Sequence, residues 1–276
     1  MRNWTQLLAL FIGLQLSAQD AEWTSIKDIN PFIGTGGHGH THPSAQAPFG
    51  MIQLGPNTRY EGWDGCGGYH YTDSAMYGFS CTHLSGTGVS DYGDLLMLPY
   101  SSPTKEGDHI KFFKEDEHAQ AGYYACILDD GTRIEATAGD RTGILRIRFG
   151  EGGEPGIMID LNFRDRVLKK SFEATGIGEW QGSRISEGWA REQHFYFGLE
   201  ITARPDTAIE VSDGVYWIPM PEGTRETTVR MGMSGTSEQG AWRNFVAELT
   251  NKNFEEVFDE TQGKWAKELA KSTVKS

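Results

Sequence analysis

The chain has 276 residues, 38% of them apolar, a mean hydropathy of −0.48 and a net charge of −13. That composition describes a globular, soluble protein, long enough for one large domain or two small ones. Its acidity argues against nucleic acid and against an anionic membrane as partners, since both need a basic face.

The first nineteen residues, MRNWTQLLALFIGLQLSAQ, predict a secretory signal: Arg2 is a positive start, Leu7 to Leu16 an apolar stretch, and Ser17-Ala18 a small-residue end. The apolar stretch is too short to span a bilayer, and no cysteine follows it to carry a lipid. The expected location is therefore the periplasm or the outside of the cell. Such a compartment permits disulfides. Cys66, Cys81 and Cys126 allow either one bridge with a thiol left over or three buried thiols, and their spacing fits no zinc ribbon.

Residues 20–235 read as strands. "GMIQLG" (50–55) and "GDLLMLP" (93–99) are short candidates. "GYYACILDDGTRIEATAG" (122–139) holds two alternating runs around Asp130-Gly131, a tight hairpin signal. "ILRIRF" (144–149), "IMIDL" (157–161), "HFYFGLEI" (194–201), "VYWI" (215–218) and "TTVRMGM" (227–233) follow. The 35 glycines supply turns between them. No sustained helical period interrupts residues 30–235, so the fold class is all-β, an antiparallel β-sandwich. After Gly235 the pattern changes. "SEQGAWRNFVAELT" (237–250) reads as a helix, and Asn253 caps a second. Its apolar stripe is Phe254, Val257, Phe258, Thr261, Trp265 and Leu269. Residues 236–276 are thus a two-helix linker whose stripe packs on the sandwich or on a partner outside the chain.

"GTGGHGHTHP" (34–43) has several readings. Gly34, Gly36 and Gly39 fit a dinucleotide fingerprint, but Pro43 and Pro48 leave no room for the helix that would meet a pyrophosphate. His38, His40 and His42 alternate as zinc ligands would on a strand, although the glycines make an extended strand uncertain. The run also fits a structural loop, or a glycine-rich loop facing a small polar ligand. Two further dense segments favour the last reading. "EGWDGCGGYHY" (61–71) and "FSCTHLSGTGVSDYGDLL" (79–96) set aromatic and polar side chains on backbone that glycine lets approach closely. A pyranose needs such a mixture: an indole for its apolar face, and carboxylate, amide and imidazole for its hydroxyls.

"DINPFIGTGGHGHTHPSAQAPFGMIQLGPNTR", "GWDGCGGYHY" and "SCTHLSGTGVSDYGDLLMLP" together resemble the N-terminal domain of glycoside hydrolase family 92, calcium-dependent exo-α-mannosidases. The resemblance runs over residues 26–271. It implies a galactose-mutarotase-like supersandwich followed by an (α/α)6 barrel, with an inverting active site in the cleft between them. It further implies that both catalytic carboxylates and the calcium ligands come from the barrel. The chain stops where that barrel is expected, so no catalytic residue and no metal ligand is assigned in it, and the fragment is expected to be inactive alone. What the resemblance carries over is a share of the pocket for a mannose-containing glycan. Trp63 is the aromatic wall and Asp64 a hydroxyl acceptor; the backbone of Gly65, Cys66 and Gly67 approaches the ring, with His83 and Ser85 as further contacts. Glu61, Asp64, Asp91 and Asp94 are close in sequence, but spacing does not set two of them across a bond. Two other readings stand beside this one. The sandwich is a non-catalytic carbohydrate-binding module, or the chain is an interaction protein that docks a partner on an exposed Phe254–Leu269 stripe.

Overall fold

A computed structural model describes residue 26 and residues 29–271, so the expected signal segment lies outside the described residues. In chain order the strands are β1 (Gly55–Asn57), β2 (Ala75–Met76), β3 (Gly78–Ser80), β4 (Leu96–Tyr100), β5 (Ile110–Lys111), β6 (His118–Gln120), β7 (Tyr123–Ile127) and β8 (Arg133–Ala138). Next come β9 (Thr142–Arg148), β10 (Gly156–Asp160), β11 (Arg166–Gly176), β12 (Glu179–Glu187), β13 (Gln193–Ile201), β14 (Ile209–Ser212), β15 (Val215–Pro219) and β16 (Glu226–Ser234). Two helices follow, α1 (Glu238–Leu249) and α2 (Phe254–Leu269).

A six-stranded sheet, β1-β3-β4-β10-β15-β14, faces an eight-stranded sheet, β11-β12-β13-β16-β9-β8-β7-β6, and β2 pairs with β5 apart from both. Every pairing between these strands is antiparallel. Phe79, Leu98 and Ile159 from the smaller sheet and Ile134, Leu145 and Phe197 from the larger one belong to a single buried cluster. Burying each such side chain stabilises the sandwich by about 1.5–3 kcal/mol relative to exposure. The Asp130-Gly131 turn forms as predicted between β7 and β8. The Asp130 carboxylate accepts from the Thr132 amide (2.8 Å) and hydroxyl (2.8 Å), and from the Ser101 amide (2.7 Å), which ties the hairpin to the end of β4.

The pattern of residues 50–55 gives less than a strand. Met51 N donates to Asp140 O and Gln53 N to Cys81 O, while Leu54 pairs with Ala45 in an isolated bridge. With its hydrogen bonds divided among three neighbours, this segment builds no ladder until β1. In the other direction, the β11–β12 hairpin escapes the alternation rule. Register breaks between Val167 and Lys169 and between Ala174 and Gly176 scramble the period of β11. The buried positions of β12 include Gly182, Ser183, Arg184 and Ser186 as well as Trp180.

The helices pack on the eight-stranded sheet. Gly198 of β13 and Gly232 of β16 are register partners. A Cβ on Gly198 would come within 2.7 Å of the Trp242 indole, and one on Gly232 within 2.4 Å of Ala241 O. The paired glycines are therefore the seat of α1. Ser237 caps α1 through Gly240 N, and Asn253 forms a capping box with Glu256 on α2. The stripe of α2 is not an open docking face. Phe254 and Val257 are buried with Ile144, Phe245 and Leu249. Farther along, Thr261 Oγ1 donates to Ala138 O (2.7 Å) and Trp265 Nε1 to Gln46 O (2.7 Å). The interaction-protein reading needs an exposed stripe and is corrected to that extent: Phe254, Val257 and Thr261 are buried on the sandwich, and Phe258, Trp265 and Leu269 are half-buried. All three cysteines are buried and unpaired, and Cys81 Sγ contacts Met231 Sδ at 3.2 Å, so no bridge forms.

Phe254→Ala should cost about 3–5 kcal/mol of unfolding free energy, and Asn253→Ala about 1 kcal/mol, both read from urea midpoints. Unchanged midpoints would mean that α2 contributes nothing to the domain.

Candidate functional site

The three dense segments meet in space. Gly86 N donates to His40 O (2.7 Å) and Ser90 Oγ to Gly62 O (3.3 Å), and the Cys66 thiol donates to Thr87 O. His70 Nε2 reaches Gly37 O at 3.1 Å. These contacts join the 34–43 loop, the 61–71 turn and the 83–91 loop into one surface.

Trp63 and Asp64 begin a 3-10 turn at its centre. Trp63 is 63% exposed although it is the largest side chain type. Its ring meets the His40 imidazole edge-on, with centroids 5.0 Å apart. Gly88 underlies it so closely that a Cβ there would fall 2.0 Å from the indole. The indole is thus held in position yet keeps open surface. Asp64 Oδ1 lies 2.6 Å from His38 Nδ1 and 3.5 Å from His40 Nε2. The His38 hydrogen bond is the main reason the Asp64 carboxyl is held below its ordinary range. No protein donor reaches Oδ2 among the described residues, which leaves an anionic oxygen beside the open indole.

The other expected residues stand behind this pair, except one. Gly65, Cys66 and Gly67 are buried, and their carbonyls turn inward: Arg164 donates to Gly65 O (2.9 Å) and Cys66 O (3.1 Å). Gly67 O accepts from His83 Nδ1 at 2.9 Å. His83 is 2% exposed and stacks on His42, with centroids 4.7 Å apart. Burial lowers its pKa to about 4, and burial with the neighbouring His83 holds His42 far below its ordinary value. Ser85 is at the surface, its hydroxyl 3.5 Å from His40 O.

The zinc reading of the histidines does not survive this geometry. His38 and His40 turn to Asp64 while His42 lies on His83, so the three rings do not converge. Among the described residues no group of three or more His, Cys, Asp or Glu could hold a metal. The fingerprint reading fails as well, since residues 34–43 form turns and no helix follows.

Asp91 and Asp94 are fully buried in a polar network beneath the surface. Arg184 NH1 donates to Asp94 Oδ1 (2.6 Å) and to the Ser186 hydroxyl (3.1 Å), while Nε donates to Leu161 O (3.0 Å) and NH2 to Phe163 O (2.7 Å). Burial, together with the contact to Asp91, raises the Asp165 pKa to about 8, so at neutral pH it keeps its proton. Asp91 Oδ2 accepts from Trp189 N at 2.6 Å. Trp189 is a residue that sequence reasoning missed. It is 70% exposed, on the β12–β13 connection, and is anchored to the loop that supports Trp63. Recognition of the β11–β12 hairpin would have marked "EGWARE" as a turn carrying an exposed indole.

The His83 imidazole should remain neutral down to about pH 4, followed by its ring NMR shifts. Because its folded pKa lies below the unfolded value, the stability tied to the neutral ring is complete above about pH 6.5 and falls away as pH drops toward 4. A midpoint above pH 6 would contradict the buried brace.

Comparison with known proteins agrees with this architecture. The family model described as glycosyl hydrolase family 92 N-terminal domain matches residues 29–253. The solved α-mannosidase BT3965 of Bacteroides thetaiotaomicron superposes with a TM-score of 0.82 at 30% identity, over 91% of this chain and 39% of that one. The inverting mannosidase BT2199 of the same organism shares the fold, with a TM-score of 0.75 at 21% identity over 88% of this chain and 36% of its own. An uncharacterized secreted glycosidase of Arthroderma benhamiae is 24% identical over 99% of this chain and 42% of that protein. The chain thus spans about two fifths of the length of these relatives. The family match takes in both sheets, all three converging segments and α1, and the chain belongs to the glycosyl hydrolase family 92 N-terminal domain family.

Proposed function

We propose that this domain forms one wall of the mannose pocket of a secreted, exo-acting α-mannosidase of inverting type. The observation that carries the reading is the pairing of an exposed, propped indole with a carboxylate that has one oxygen free, at the meeting point of three segments. Trp63 receives the apolar face of the sugar and Asp64 Oδ2 accepts from a ring hydroxyl. His38 and His40 hold Asp64 ionised and oriented. Gly65, Cys66, Gly67 and His83 act from behind by fixing the turn, and Ser85 and Trp189 lie toward the rim of the same surface. Similarity to the solved α-mannosidase BT3965 supports the substrate class. Secretion, expected from residues 1–19, accords with the description of the Arthroderma relative as a secreted glycosidase.

Within this proposal the bond-breaking carboxylates belong to a second domain. Of the carboxylates close to Asp64 in sequence, Asp91 and Asp94 are sealed in the Arg184 network and so cannot face Asp64 across a substrate, while Glu61 is exposed three residues before it. An inverting site needs two carboxyl groups about 6.5–9.5 Å apart with a water between them. Calcium, which the family resemblance implies, finds no fitting donor set among the described residues. Its ligands are assigned to the second domain, and no step is derived through it.

In a chain completed by that domain, Trp63→Ala should lower kcat/KM on an aryl α-mannoside at least tenfold, about 1.4 kcal/mol. Asp64→Asn should cost about 1.5–3 kcal/mol, the loss of a hydrogen bond to a charged acceptor. Values within twofold of the parent for both would contradict the pocket role. Titration of mannose against the isolated domain separates the alternative of a free-standing carbohydrate-binding module. Millimolar binding abolished by Trp63→Ala favours the module, and absence of binding favours a pocket that needs both domains.

A further inference from the structure

A second concavity lies at the edge of the six-stranded sheet. It is lined by Tyr60, Tyr77 and Phe163, by the carboxylates Glu106, Asp108 and Asp160, and by Asn162, over a floor of Leu96 and Met158. Its volume is about 230 Å³, below the usual range of a drug-sized site and suited to a small head group. The three rings pack on one another, with Tyr60–Phe163 centroids 5.3 Å apart and Tyr77–Phe163 centroids 5.6 Å apart, so they make one continuous aromatic wall. No lysine, arginine or histidine lines the cavity, but His109 stacks on the Tyr77 ring, with centroids 4.5 Å apart, and takes one of its faces. Lys170, which reaches the lining residue Asn162, is engaged by Asn162 Oδ1 (2.7 Å) and Asp213 Oδ2 (2.9 Å).

Asp160 points to what the cavity takes. The residue is 4% exposed, at the end of β10. Its Oδ1 accepts from Asn162 N at 2.7 Å, and no protein donor reaches its Oδ2 among the described residues. That oxygen is not sealed in protein: it is open to the cavity and free to accept from an occupant. Here that oxygen belongs to a residue lining a cavity that also presents two further carboxylates and π faces. Aromatic faces attract cations through the ring quadrupole, most strongly when the cation is desolvated.

We propose that this cavity is a binding site for an organic ammonium group, distinct from the Trp63 surface. The carboxylates neutralise the charge and Tyr60, with Tyr77 and Phe163 packed against one another beside it, receives the alkyl substituents. The site does not depend on the mannosidase reading. It nevertheless adjoins the Trp63 turn, because Tyr60 precedes that turn by three residues and Phe163 precedes Arg164, whose guanidinium holds the turn. Asp160 is faced by Tyr60, by Glu106 from the 105–109 lip (which also sets His109 on Tyr77), by Arg184 of β12 and by Lys170 of β11, and burial raises its pKa to about 6. Its charge is present above that pH and lost below it, so cation binding should weaken on acidification from pH 7.5 to 5.

The test is a titration of the whole chain, observed by NMR and calorimetry, with choline, with n-butylammonium and with the uncharged choline isostere 3,3-dimethylbutan-1-ol. Choline should bind at least tenfold more tightly than the neutral isostere at pH 7.5 and perturb Tyr60 and Tyr77. Asp160→Asn and, separately, Glu106→Gln on the exposed lip should each weaken it severalfold, in variants whose thermal unfolding shows them folded. Preference for n-butylammonium over choline would assign the site to a primary amine such as a lysine side chain, and the reverse to a free quaternary amine. Equal binding of choline and its neutral isostere, no binding of either cation, or undiminished binding in folded Asp160→Asn and Glu106→Gln would overturn the proposal.

Discussion

Arg184 is a guanidinium with no exposure at all, and the surface around Trp63 depends on how it is satisfied. It projects from β12 of the larger sheet to segments that adjoin strands of the smaller one. Asp94 lies just before β4, and Leu161 and Phe163 just after β10. A buried charge of this kind is tolerated only when its donors are matched. Each of its nitrogens has at least one acceptor, and the geometry of those acceptors fixes two loops at once.

From that centre two arms reach the Trp63 turn. On one side, the loop held through the Leu161 and Phe163 carbonyls carries Arg164, which clamps Gly65 O and Cys66 O. On the other, Asp94 Oδ2 accepts from Thr82 Oγ1 at 2.7 Å, and Thr82 leads into His83, which holds Gly67 O. A third link runs through Asp91, which touches the protonated Asp165 and fixes the Trp189 amide. The exposed indoles are therefore mounted on a buried polar frame and not on the apolar core. Such a frame gives fixed direction to side chains that must meet a ligand in water. Neither arm uses the Asp64 side chain or the outer face of Trp63, which are left for recognition.

Much of the fold was legible from residues alone. The β7–β8 hairpin, β9, β10, β13, β15 and β16 are strands where alternation predicts them, because each has one face on the sandwich core or under a helix. The capping signal at Asn253 and the stripe of α2 were equally plain; that the stripe finds its partner on the sandwich was not, because periodicity names a buried face without naming its cover. The β11–β12 hairpin was hidden by bulges and by Arg184 itself, a charged residue at a position that pattern reading assigns to solvent. At the site, Trp63 and Asp64 were visible as chemistry next to glycine. The inward turn of the Gly65–Gly67 carbonyls was not, because only the long-range partners Arg164 and His83 define it. Trp189 disappeared along with its hairpin.

The most direct test of this frame compares amide hydrogen exchange at Gly65 and Gly68 in the parent, in Arg184→Met and in the distant core variant Phe254→Ala. Removing Arg184 leaves the Asp94 carboxylate buried without its partner, at a cost of about 3–5 kcal/mol, similar to that of the core truncation. If Arg184 braces the turn, exchange at these two amides rises in Arg184→Met well beyond its rise in Phe254→Ala at matched global stability. Equal protection in the two variants would show that the Trp63 turn stands without the buried guanidinium, and would contradict the account.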